Sequence, residues 1–479
     1  MAGTDILRRA TSFLFHSSLT AVLIVVSSVL VTLSPSADRS EARLVGDLPV
    51  AYAADDKVKE LKKRFKRAMK RGDPDAVAAF IKRAAKVDDP EVALLVVHAA
   101  IVIPSAKNYE RALSGIRKYK SEETIKALVE LGAKSKKYQE RVLIVEGFGK
   151  RSGGSSGAEE VREAIYQSLR KDPAVHVRVA AIMACSARKE REAVPVLIDH
   201  LKSRQKERDR DWLECRQALL DLTGENFELI ADWRNFWEAN KTSLDPKAIG
   251  KKNGGKTGRR VKVKKSDDAA EFFGEEIHSQ NVVFVIDCSG SMRLYDPHPK
   301  YKGKNEERDR ERLRRAKQQT AKAILKLKKK SRFNIVAFNS QVFSWKKRVS
   351  GASHGNIKKA KKFVQGFNAD MFTHTKDALE EAFKDPGVDT LVLLSDGSPY
   401  EQNMGPAEAE AYAQRILKRV KDLNASRKLT INTFGFEGQG VQPGRAGGGG
   451  TLGGGGANSG KEFLTKLAKR NNGKYKSIK

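Results

Sequence analysis

The stretch that decides the fold of the C-terminal half is Asn281–Met292, NVVFVIDCSGSM. Its first part, Val282–Ile286, is an unbroken and mostly β-branched apolar run, which is typical of a strand buried on both faces of a parallel sheet. The run ends in a hydroxyl-rich turn in which Asp287, Ser289 and Ser291 alternate. A chain that curls at the end of a strand aims these side chains at one point, and hard oxygen ligands suit Mg²⁺, Ca²⁺ or Mn²⁺.

Two later segments give this D-x-S-x-S spacing its meaning, because alone it also fits a turn that caps the next helix. Thr373 lies in MFTHTKDALEEAF, and Asp396 follows a second apolar strand in TLVLLSDGSP. With the order strand, helix, strand, these residues resemble the von Willebrand factor A (vWA) domain and its metal-ion-dependent adhesion site, from about residue 277 onward. The resemblance implies an α/β doubly wound, mostly parallel sheet and one divalent cation, with Mg²⁺ as the first choice. The implied ligands are Asp287, Ser289, Ser291, Thr373 and Asp396.

The loop around Thr373 departs from the family pattern. Members of the family usually have two glycines before this threonine, whereas Met371 and Phe372 stand here. We assign the ligand to Thr373 because Asp377 follows it in the family's helix-start register, and Thr375 is the alternative. If the Phe372 ring crowds the loop, the threonine ligand is displaced.

Size and charge bound the architecture and the partners. A chain of 479 residues predicts two or three domains. The 91 lysines and arginines against 59 acidic residues give a formal charge of +32. This excess favours anionic partners, although a generally solvated basic exterior gives the same count. The three cysteines, at positions 185, 215 and 288, form no C-x-x-C motif and predict neither a disulfide framework nor a zinc site.

The N-terminus has the features of a targeting segment. A basic pair at positions 8 and 9 precedes the apolar run Leu19–Leu33, which is typical of the core of a signal peptide. Cleavage is expected near Ala51 or Ala53, with Ala42 as another candidate. We therefore predict that residues 1–53 are a signal peptide, or a membrane anchor if they are retained, and that the protein is exported to the periplasm or cell envelope.

Residues 55–240 read as a succession of amphipathic helices. DPEVALLVVHAA resembles DPAVHVRVAAIMAC, and both begin with Asp-Pro, a favourable helix start. Paired helices that bury their apolar faces only against neighbouring pairs indicate a solenoid. The segment Asp172–Leu201 resembles a HEAT repeat, so we expect an all-α, HEAT-like array. Trp212, Trp233 and Trp237 are interpreted as core or capping aromatics rather than a ligand cage.

Residues 241–275 are rich in Lys, Arg and Gly and are interpreted as a basic linker. Gly250, Gly255, Lys256 and Thr257 fit the phosphate-loop pattern G-x-x-x-x-G-K-T. A phosphate loop needs a buried strand before it and a helix after it. The sequence predicts neither, so we expect no nucleotide site there.

Two segments of the C-terminal domain, residues 276–479, are expected to be loops. The polar insertion Arg293–Arg310 adjoins the predicted metal site, and its Tyr295, Asp296 and His298 either contact a ligand or belong to a mobile charged loop. The glycine-rich segment Arg445–Gly460 is too poor in apolar groups to order itself.

These features favour a non-enzymatic binding module. The metal would recognise an acidic side chain of a protein partner, and the HEAT-like array would supply a second interaction surface. The alternative is sequence-independent binding of an anionic polymer or envelope surface by the basic helices and linker. Nucleic acid is not favoured, because clustered aromatics are lacking. Catalysis is not expected, since the chain has no H-E-x-x-H, no G-x-S-x-G and no nucleophile with a general base.

Overall fold

A computed structural model describes residues 48–252, 260–296, 311–370, 372–397, 399–401, 404–436 and 457–478. Most of the predicted leader, the Gly-Lys-Thr triplet of the linker, His298 and most of the glycine-rich segment lie outside these residues. By its backbone contacts the chain divides into two units, residues 1–84 and residues 85–479. No helix in the described ranges is both long and apolar enough to cross a membrane.

The first unit contains a helical pair. Helix α1 (Leu48–Arg71) and helix α2 (Pro74–Ala84) are separated by Gly72. Gly72 has a φ of +62°, the left-handed conformation that ends many helices. Phe65 of α1 lies 5.4 Å from Phe80 of α2 between ring centroids, so the two apolar faces pack together.

The second unit begins with an array of paired helices, which confirms the all-helical architecture predicted for this region. Its first helix starts as the Asp-Pro signal predicts, because Asp89 accepts the backbone N–H of Val92 at 3.0 Å. Trp212 and Trp233 are fully buried, in agreement with a role in the core. The helices are α3 (Pro90–Val102), α4 (Ala106–Lys118), α5 (Glu122–Lys134), α6 (Tyr138–Gly149), α7 (Ala158–Lys171), α8 (Val175–Arg188), α9 (Ala193–Arg204), α10 (Arg210–Thr223), α11 (Ile230–Asn240) and α12 (Pro246–Lys252).

A mixed, mostly parallel sheet follows, as predicted. Its strands are β3 (Asn281–Asp287), β4 (Arg332–Phe338), β5 (Val342–Ser344), β6 (Ser350–Gly351), β7 (Thr390–Ser395), β8 (Thr430–Phe436) and β9 (Tyr475–Ile478). The order across the sheet is β5, β4, β3, β7, β8, β9, and β6 pairs with the other part of β4. Strands β4, β3, β7, β8 and β9 run parallel, and β5 and β6 are antiparallel. The central strands are buried on both faces, which explains their unbroken apolar runs.

Helices cover both faces of this sheet. Helices α13 (Arg312–Leu325) and α14 (His354–Gln365) pack on one face, around Phe284 and Ile335. The opposite face, around Val285 and Leu393, carries α15 (Thr375–Lys384), α16 (Pro406–Asn424) and α17 (Ala457–Arg470). The doubly wound fold predicted from the sequence is therefore confirmed.

Two helix bounds differ from the sequence interpretation. The sequence pattern of Arg312–Lys329 predicts a helix, but helix α13 ends at Leu325, because Leu327 enters the core and a turn at Lys328 leads the chain into β4. Helix α17 begins at Ala457, so the end of the predicted glycine-rich loop is helical. Gly460 is buried in this first turn.

Part of the predicted linker is ordered against the sheet. Strands β1 (Glu271–Phe272) and β2 (Glu275–Glu276) form a hairpin through Phe273 and Gly274, which have φ values of 45° and 77°. Two positive φ values suit the tightest hairpin turns. Phe272 is fully buried, and its ring centroid lies 4.9 Å from that of Phe434. The linker interpretation missed this hairpin because the basic residues around it conceal a short apolar strand.

The helical array contacts the sheet where the strands begin. His176 of α8 lies 2.7 Å from the carbonyl oxygen of Val388, and Arg210 of α10 donates to the carbonyl of Asp389 at 3.1 Å. Both carbonyls directly precede β7. Burial lowers the pKa of His176 to about 3, so its imidazole is neutral and donates through Nε2. The array therefore packs at the amino-terminal edge of the parallel strands.

We predict that Gly473→Ala destabilises the sheet strongly. A Cβ atom at position 473, just before β9, would lie 1.7 Å from the carbonyl oxygen of Ile431 in β8. The backbone must move, so we expect a thermal midpoint lower by about 5–10 °C in calorimetry. Gly351→Ala is the matched control, since no atom lies within 4 Å of its added Cβ. Equal midpoints for the two variants would contradict this account of strand pairing.

Candidate functional site

The candidate site lies where neighbouring parallel strands end. Strands β3 and β7 are adjacent, but the chain leaves β3 towards β4 and leaves β7 towards β8, on opposite sides. This reversal opens a crevice at the carboxyl ends of the two strands, the usual position of ligand sites in open α/β sheets. Asp287 is the last residue of β3, and Asp396 directly follows β7. Sheet topology therefore brings two carboxylates together.

The Asp287 carboxylate is fixed by two donors. It is fully buried, and the backbone N–H of Ser289 donates to its Oδ1 at 2.8 Å. The Ser395 hydroxyl, at the end of β7, donates to its Oδ2 at 2.5 Å. Ser289 then begins a short 3₁₀ helix, Gly290–Arg293. The tight turn predicted after β3 is thus held by the carboxylate itself.

A chain of hydroxyls links the two strand ends. The hydroxyl oxygens of Ser289 and Ser291 lie 3.2 Å apart. Ser291 donates to Oδ1 of Asp396 at 2.8 Å. Four of the five predicted site residues are therefore joined by hydrogen bonds in one cluster.

The predicted fifth residue, Thr373, belongs to a loop that is tied to both strand ends. Its backbone N–H donates to the carbonyl of Tyr400 at 3.0 Å, in the segment after Asp396. The N–H of Asp370 donates to the carbonyl of Cys288 at 2.9 Å. Thr373 is 9% exposed and precedes α15. Its role as a ligand stays a prediction.

The structure describes one of the two residues that replace the family's glycines. Phe372 is partly buried, and its backbone N–H donates to the Ser340 hydroxyl at 3.1 Å. Met371 lies outside the described residues. The alternative ligand, Thr375, begins α15, where its hydroxyl lies 3.5 Å from the carbonyl of Thr373. The Thr375 hydroxyl is therefore engaged at the start of that helix.

An arginine that the sequence interpretation missed adjoins the cluster. Arg312, the first residue of α13, donates to Oδ2 of Asp396 at 2.7 Å. The same guanidinium donates to Asp296 at 3.1 Å, and Arg315 also pairs with Asp296. Arg312 and Asp296 are almost fully buried. Asp296 is thus paired with arginines at the start of the insertion, rather than free for a ligand or part of a mobile loop.

The two carboxyl groups of the cluster, Asp287 and Asp396, lie close enough to affect each other's charge. Burial and, as the second cause, the neighbouring Asp396 carboxylate together raise the pKa of Asp287 to about 7. Burial also raises the pKa of the Cys288 thiol far above its usual value, so this cysteine is not a reactive nucleophile. A cation beside Asp287 would relieve the cost of its buried charge.

The donor set fits a hard divalent cation. Two carboxylates and two hydroxyls present oxygen atoms only, which Mg²⁺, Ca²⁺ and Mn²⁺ prefer. In the described residues no group of three or more His, Cys, Asp or Glu side chains is placed to hold a metal. Hydroxyls and water would therefore have to complete the coordination of any cation bound here.

Two partners of the predicted ligands escaped the sequence interpretation. Ser395 is the last residue of an apolar strand, and a single serine there forms no recognisable sequence motif. Arg312 follows the insertion, and its pairing with Asp396 depends on the sheet topology. The sequence signal that could have predicted an ion pair is Asp296 near the start of the insertion and the two arginines, Arg312 and Arg315, after its end.

Comparison with known proteins agrees with the fold of the C-terminal part of the chain. Residues 281–477 match the von Willebrand factor type A domain. Inter-alpha-trypsin inhibitor heavy chain H4 from Bos taurus is 27% identical over 175 residues, and the Homo sapiens protein of that name is 30% identical over 175 residues. Each match covers 33% of this chain and 16% of the relative, so the chain spans about a sixth of these relatives' length.

Solved structures also resemble part of the chain. A von Willebrand factor type A protein from Catenulispora acidiphila has 22% identity and a TM-score of 0.29, covering 43% of this chain and 40% of its own. The PilB minor pilin from Streptococcus sanguinis has 16% identity and a TM-score of 0.27, covering 46% of this chain and 62% of its own.

We predict that Asp287→Asn stabilises the metal-free protein at alkaline pH. The folded-state pKa of Asp287 is raised, so the folded state binds more protons than the unfolded state between about pH 4 and about pH 7, and stability falls as pH rises through this window. An amide removes the buried charge. In chelator, we expect the variant's thermal midpoint to exceed that of the wild type by several degrees at pH 8.

The difference should nearly vanish at pH 4, where the wild-type carboxyl is protonated. Glu462→Ala, at an exposed position of α17, is the control and should leave both midpoints unchanged. A gain of equal size at both pH values would show that Asp287 is not charged and strained in the folded protein.

Proposed function

We propose that the vWA domain of this chain, a protein-binding module, binds a protein partner through a divalent cation and an acidic side chain of that partner. The observation that carries the proposal is the meeting of Asp287, Ser289, Ser291 and Asp396 at the end of β3 and β7. These oxygens crowd two carboxylates and two hydroxyls together, and a bound divalent cation would stabilise them. The proposed ligands are these four residues and Thr373.

The cation would be Mg²⁺, with Ca²⁺ or Mn²⁺ as alternatives. When bound, it would neutralise the crowded carboxylates and attract an external carboxylate. The protein's own part is to fix the oxygens: the Ser289 N–H and the Ser395 hydroxyl orient Asp287, and the Ser291 hydroxyl orients Asp396. Because backbone and strand ends preorganise the donors, the main rearrangement on binding would be the release of Asp396 Oδ2 from Arg312.

The helical array would add a second contact surface. It packs at the amino-terminal edge of the strands, through His176 and Arg210, whereas the oxygen cluster lies at the carboxyl edge. The two surfaces therefore belong to one unit and lie at opposite edges of the sheet. A partner that spans both would gain affinity without new contacts at the metal.

The proposal includes the location of the protein and its class as a binding protein rather than an enzyme. The predicted leader, residues 1–53, favours an exported protein of the periplasm or cell envelope, anchored to the membrane if the leader is retained. We propose that the protein is not an enzyme. Ser289 and Ser291 adjoin carboxylates and each other rather than a general base, so neither is activated as a nucleophile.

The decisive experiment measures metal and partner together. We expect the full chain to bind one Mn²⁺ by electron paramagnetic resonance at pH 8, with at least tenfold weaker binding in Asp287→Ala and Asp396→Ala, because each removes a charged ligand. Capture of a partner from an envelope extract should need Mg²⁺ and fail in chelator and in both variants. Glu462→Ala is the control and should behave as the wild type.

Partner capture that persists in chelator and in both variants would reject the proposal. Mn²⁺ binding without metal-dependent capture would leave a structural metal site and reject the proposed recognition. Identification of the captured protein by mass then allows its acidic residues to be replaced one at a time by the matching amides.

We predict that Arg312→Gln tightens metal binding while it weakens the fold. The guanidinium holds one oxygen of Asp396 and places a positive charge beside the cation position. Its removal frees that oxygen, so the Mn²⁺ dissociation constant should fall several-fold. The same change leaves the buried Asp296 with one fewer partner, and the thermal midpoint in chelator should fall by several degrees.

A lysine at position 312 distinguishes the effect of the positive charge from that of the guanidinium hydrogen bonds. Arg312→Lys keeps the positive charge and should retain wild-type metal affinity more closely than the glutamine variant. Weaker Mn²⁺ binding in Arg312→Gln would mean that the arginine supports the metal site rather than competing with the cation.

A further inference from the structure

The vWA domain contains a long stretch without a single acidic residue. Residues 312–369 include 17 lysines and arginines and no aspartate or glutamate. The stretch is about an eighth of the chain and contributes about half of the net charge of +32. A basic exterior that serves only solubility would mix both signs. The concentration of one sign in one stretch indicates a specific surface.

The fold places most of this charge on one side of the sheet. Helices α13 and α14 lie side by side over the same sheet face, and their apolar residues enter its core. Most of the exposed lysines and arginines of the stretch lie on these two helices and on the turn after α13. They are Arg314, Lys322, Lys326, Lys329, Lys330, Lys358, Lys359 and Lys362. We call the surface formed by these residues the basic face.

Among the described residues, few acidic side chains pair with the lysines of the basic face. Lys330 pairs with Glu207 of the helical array at 3.0 Å. Lys326 and Lys317 reach backbone carbonyls rather than acids. In the part of the chain that the structure describes, Lys358 and Lys359 of α14 form no ion pair. Their electric fields therefore add up at the surface.

The other side of the sheet has a different character. Helix α16 has basic residues as well, but Glu408, Glu410 and Asp422 are interspersed among them. Arg419 of α16 also pairs with Glu380 at 2.7 Å. Helix α17 on this side is also basic but includes Glu462. The pair of helices without any acidic residue is therefore a property of the opposite face of the sheet.

Apolar groups adjoin the basic face. Phe343 of edge strand β5 is 45% exposed, and its neighbour in register, Ala337, belongs to the core under α13 and α14. Because the side chains of directly paired residues on neighbouring strands lie on the same face of a sheet, Phe343 projects to the same side as the two helices. Leu325, at the end of α13, is 54% exposed. Few large apolar residues in the described chain are exposed to this degree.

We propose that the basic face binds the surface of an anionic phospholipid membrane. Two helices laid on a sheet form a broad layer, and lysines spread over a layer match a plane of phosphate groups better than they match a narrow groove. Lysine outnumbers arginine there, as suits point-charge attraction without bidentate geometry. Phe343 and Leu325 supply apolar contacts beside the charges. A single-stranded nucleic acid would instead need successive exposed aromatics for base stacking.

Membrane contact through the basic face does not depend on the proposed metal site. The oxygen cluster lies at the strand ends, whereas the basic face lies over one side of the sheet. A chain resting on its basic face would therefore keep the oxygen cluster at the edge of the contact, accessible from the side. The inference extends the proposed function, because the domain would bind a membrane surface as well as a protein partner.

The test uses the full chain in chelator, with vesicles of phosphatidylcholine alone or with about 30% phosphatidylglycerol. We expect cosedimentation with the anionic vesicles at about 0.1 M salt and release at about 0.5 M. Each cation near an anionic membrane strengthens binding by roughly fivefold. The triple variant Lys358→Glu, Lys359→Glu, Lys362→Glu on α14 should therefore bind at least tenfold more weakly.

The matched control changes the net charge equally on the opposite side of the sheet. Arg415→Glu, Lys418→Glu, Lys421→Glu alters exposed residues of α16 and should weaken vesicle binding by less than about threefold. The apolar run at residues 19–33 is common to all variants, and vesicles of phosphatidylcholine alone measure its contribution. Equal losses in the two triple variants would overturn the inference, because net charge alone would then explain the binding.

A variant that keeps every charge distinguishes lipid from a soluble polymer. Phe343→Ser should weaken binding to anionic vesicles several-fold and leave binding to inorganic polyphosphate unchanged. If it changes neither, and polyphosphate binds as tightly as the vesicles, the occupant is a soluble polyanion and the membrane proposal fails. Unchanged circular dichroism and thermal midpoints verify that the exposed substitutions leave the fold intact.

Discussion

The structure depends on one electrostatic constraint, the confinement of Asp287 and Asp396 at the ends of two adjacent parallel strands. Asp287 is fully buried, and its neighbour has the same charge, so the folded chain carries a cost that raises the pKa of Asp287 to about 7. A sequence selected for stability alone would place an apolar or amide side chain there. The hydrogen bonds from Ser289, Ser395 and Ser291 hold both carboxylates in place in spite of that cost. Such stored repulsion is what a cation-binding site requires before its cation arrives.

The oxygen cluster, the contact with the helical array and the basic face lie on different parts of the domain. The carboxyl ends of the strands bear the oxygen cluster, and the amino-terminal ends pack against the helical array through His176 and Arg210. Because the array and the sheet form one unit, a partner bound at the cluster would be held at a fixed distance from the array. The third surface, over α13 and α14, is basic and faces away from the sheet. Each surface is built from a different part of the same topology, so the three can act without competing for the same residues.

Much of this arrangement was predictable from sequence, and the reasons are local. The apolar runs before Asp287 and Asp396 are strands because β-branched residues suit a sheet buried on both faces. Both acids then meet because parallel strands share their carboxyl edge. The array was predictable because helical periodicity and Asp-Pro starts recur. Contacts between residues that are distant in sequence were not predictable. They are the pairing of Arg312 with Asp396 and the hydrogen bond from the Ser395 hydroxyl to Asp287. The burial of Phe272, in a segment that reads as a basic linker, was not predictable either. Each depends on which strands become neighbours, and a single sequence does not encode that as a pattern.

The basic face is a second feature whose location could not be predicted from the sequence. A net charge of +32 is visible in the composition, but its assignment to linker and helices in general was too broad. Only the fold shows that the acid-free stretch becomes two helices on one face of the sheet. The central claim, that the oxygen cluster is a cation site, is tested most directly by an anomalous difference map from a crystal grown with Mn²⁺. The account predicts one strong peak bounded by the oxygens of Asp287, Ser289, Ser291 and Asp396, whereas a map without density there, and with Arg312 still paired with Asp396, would contradict it.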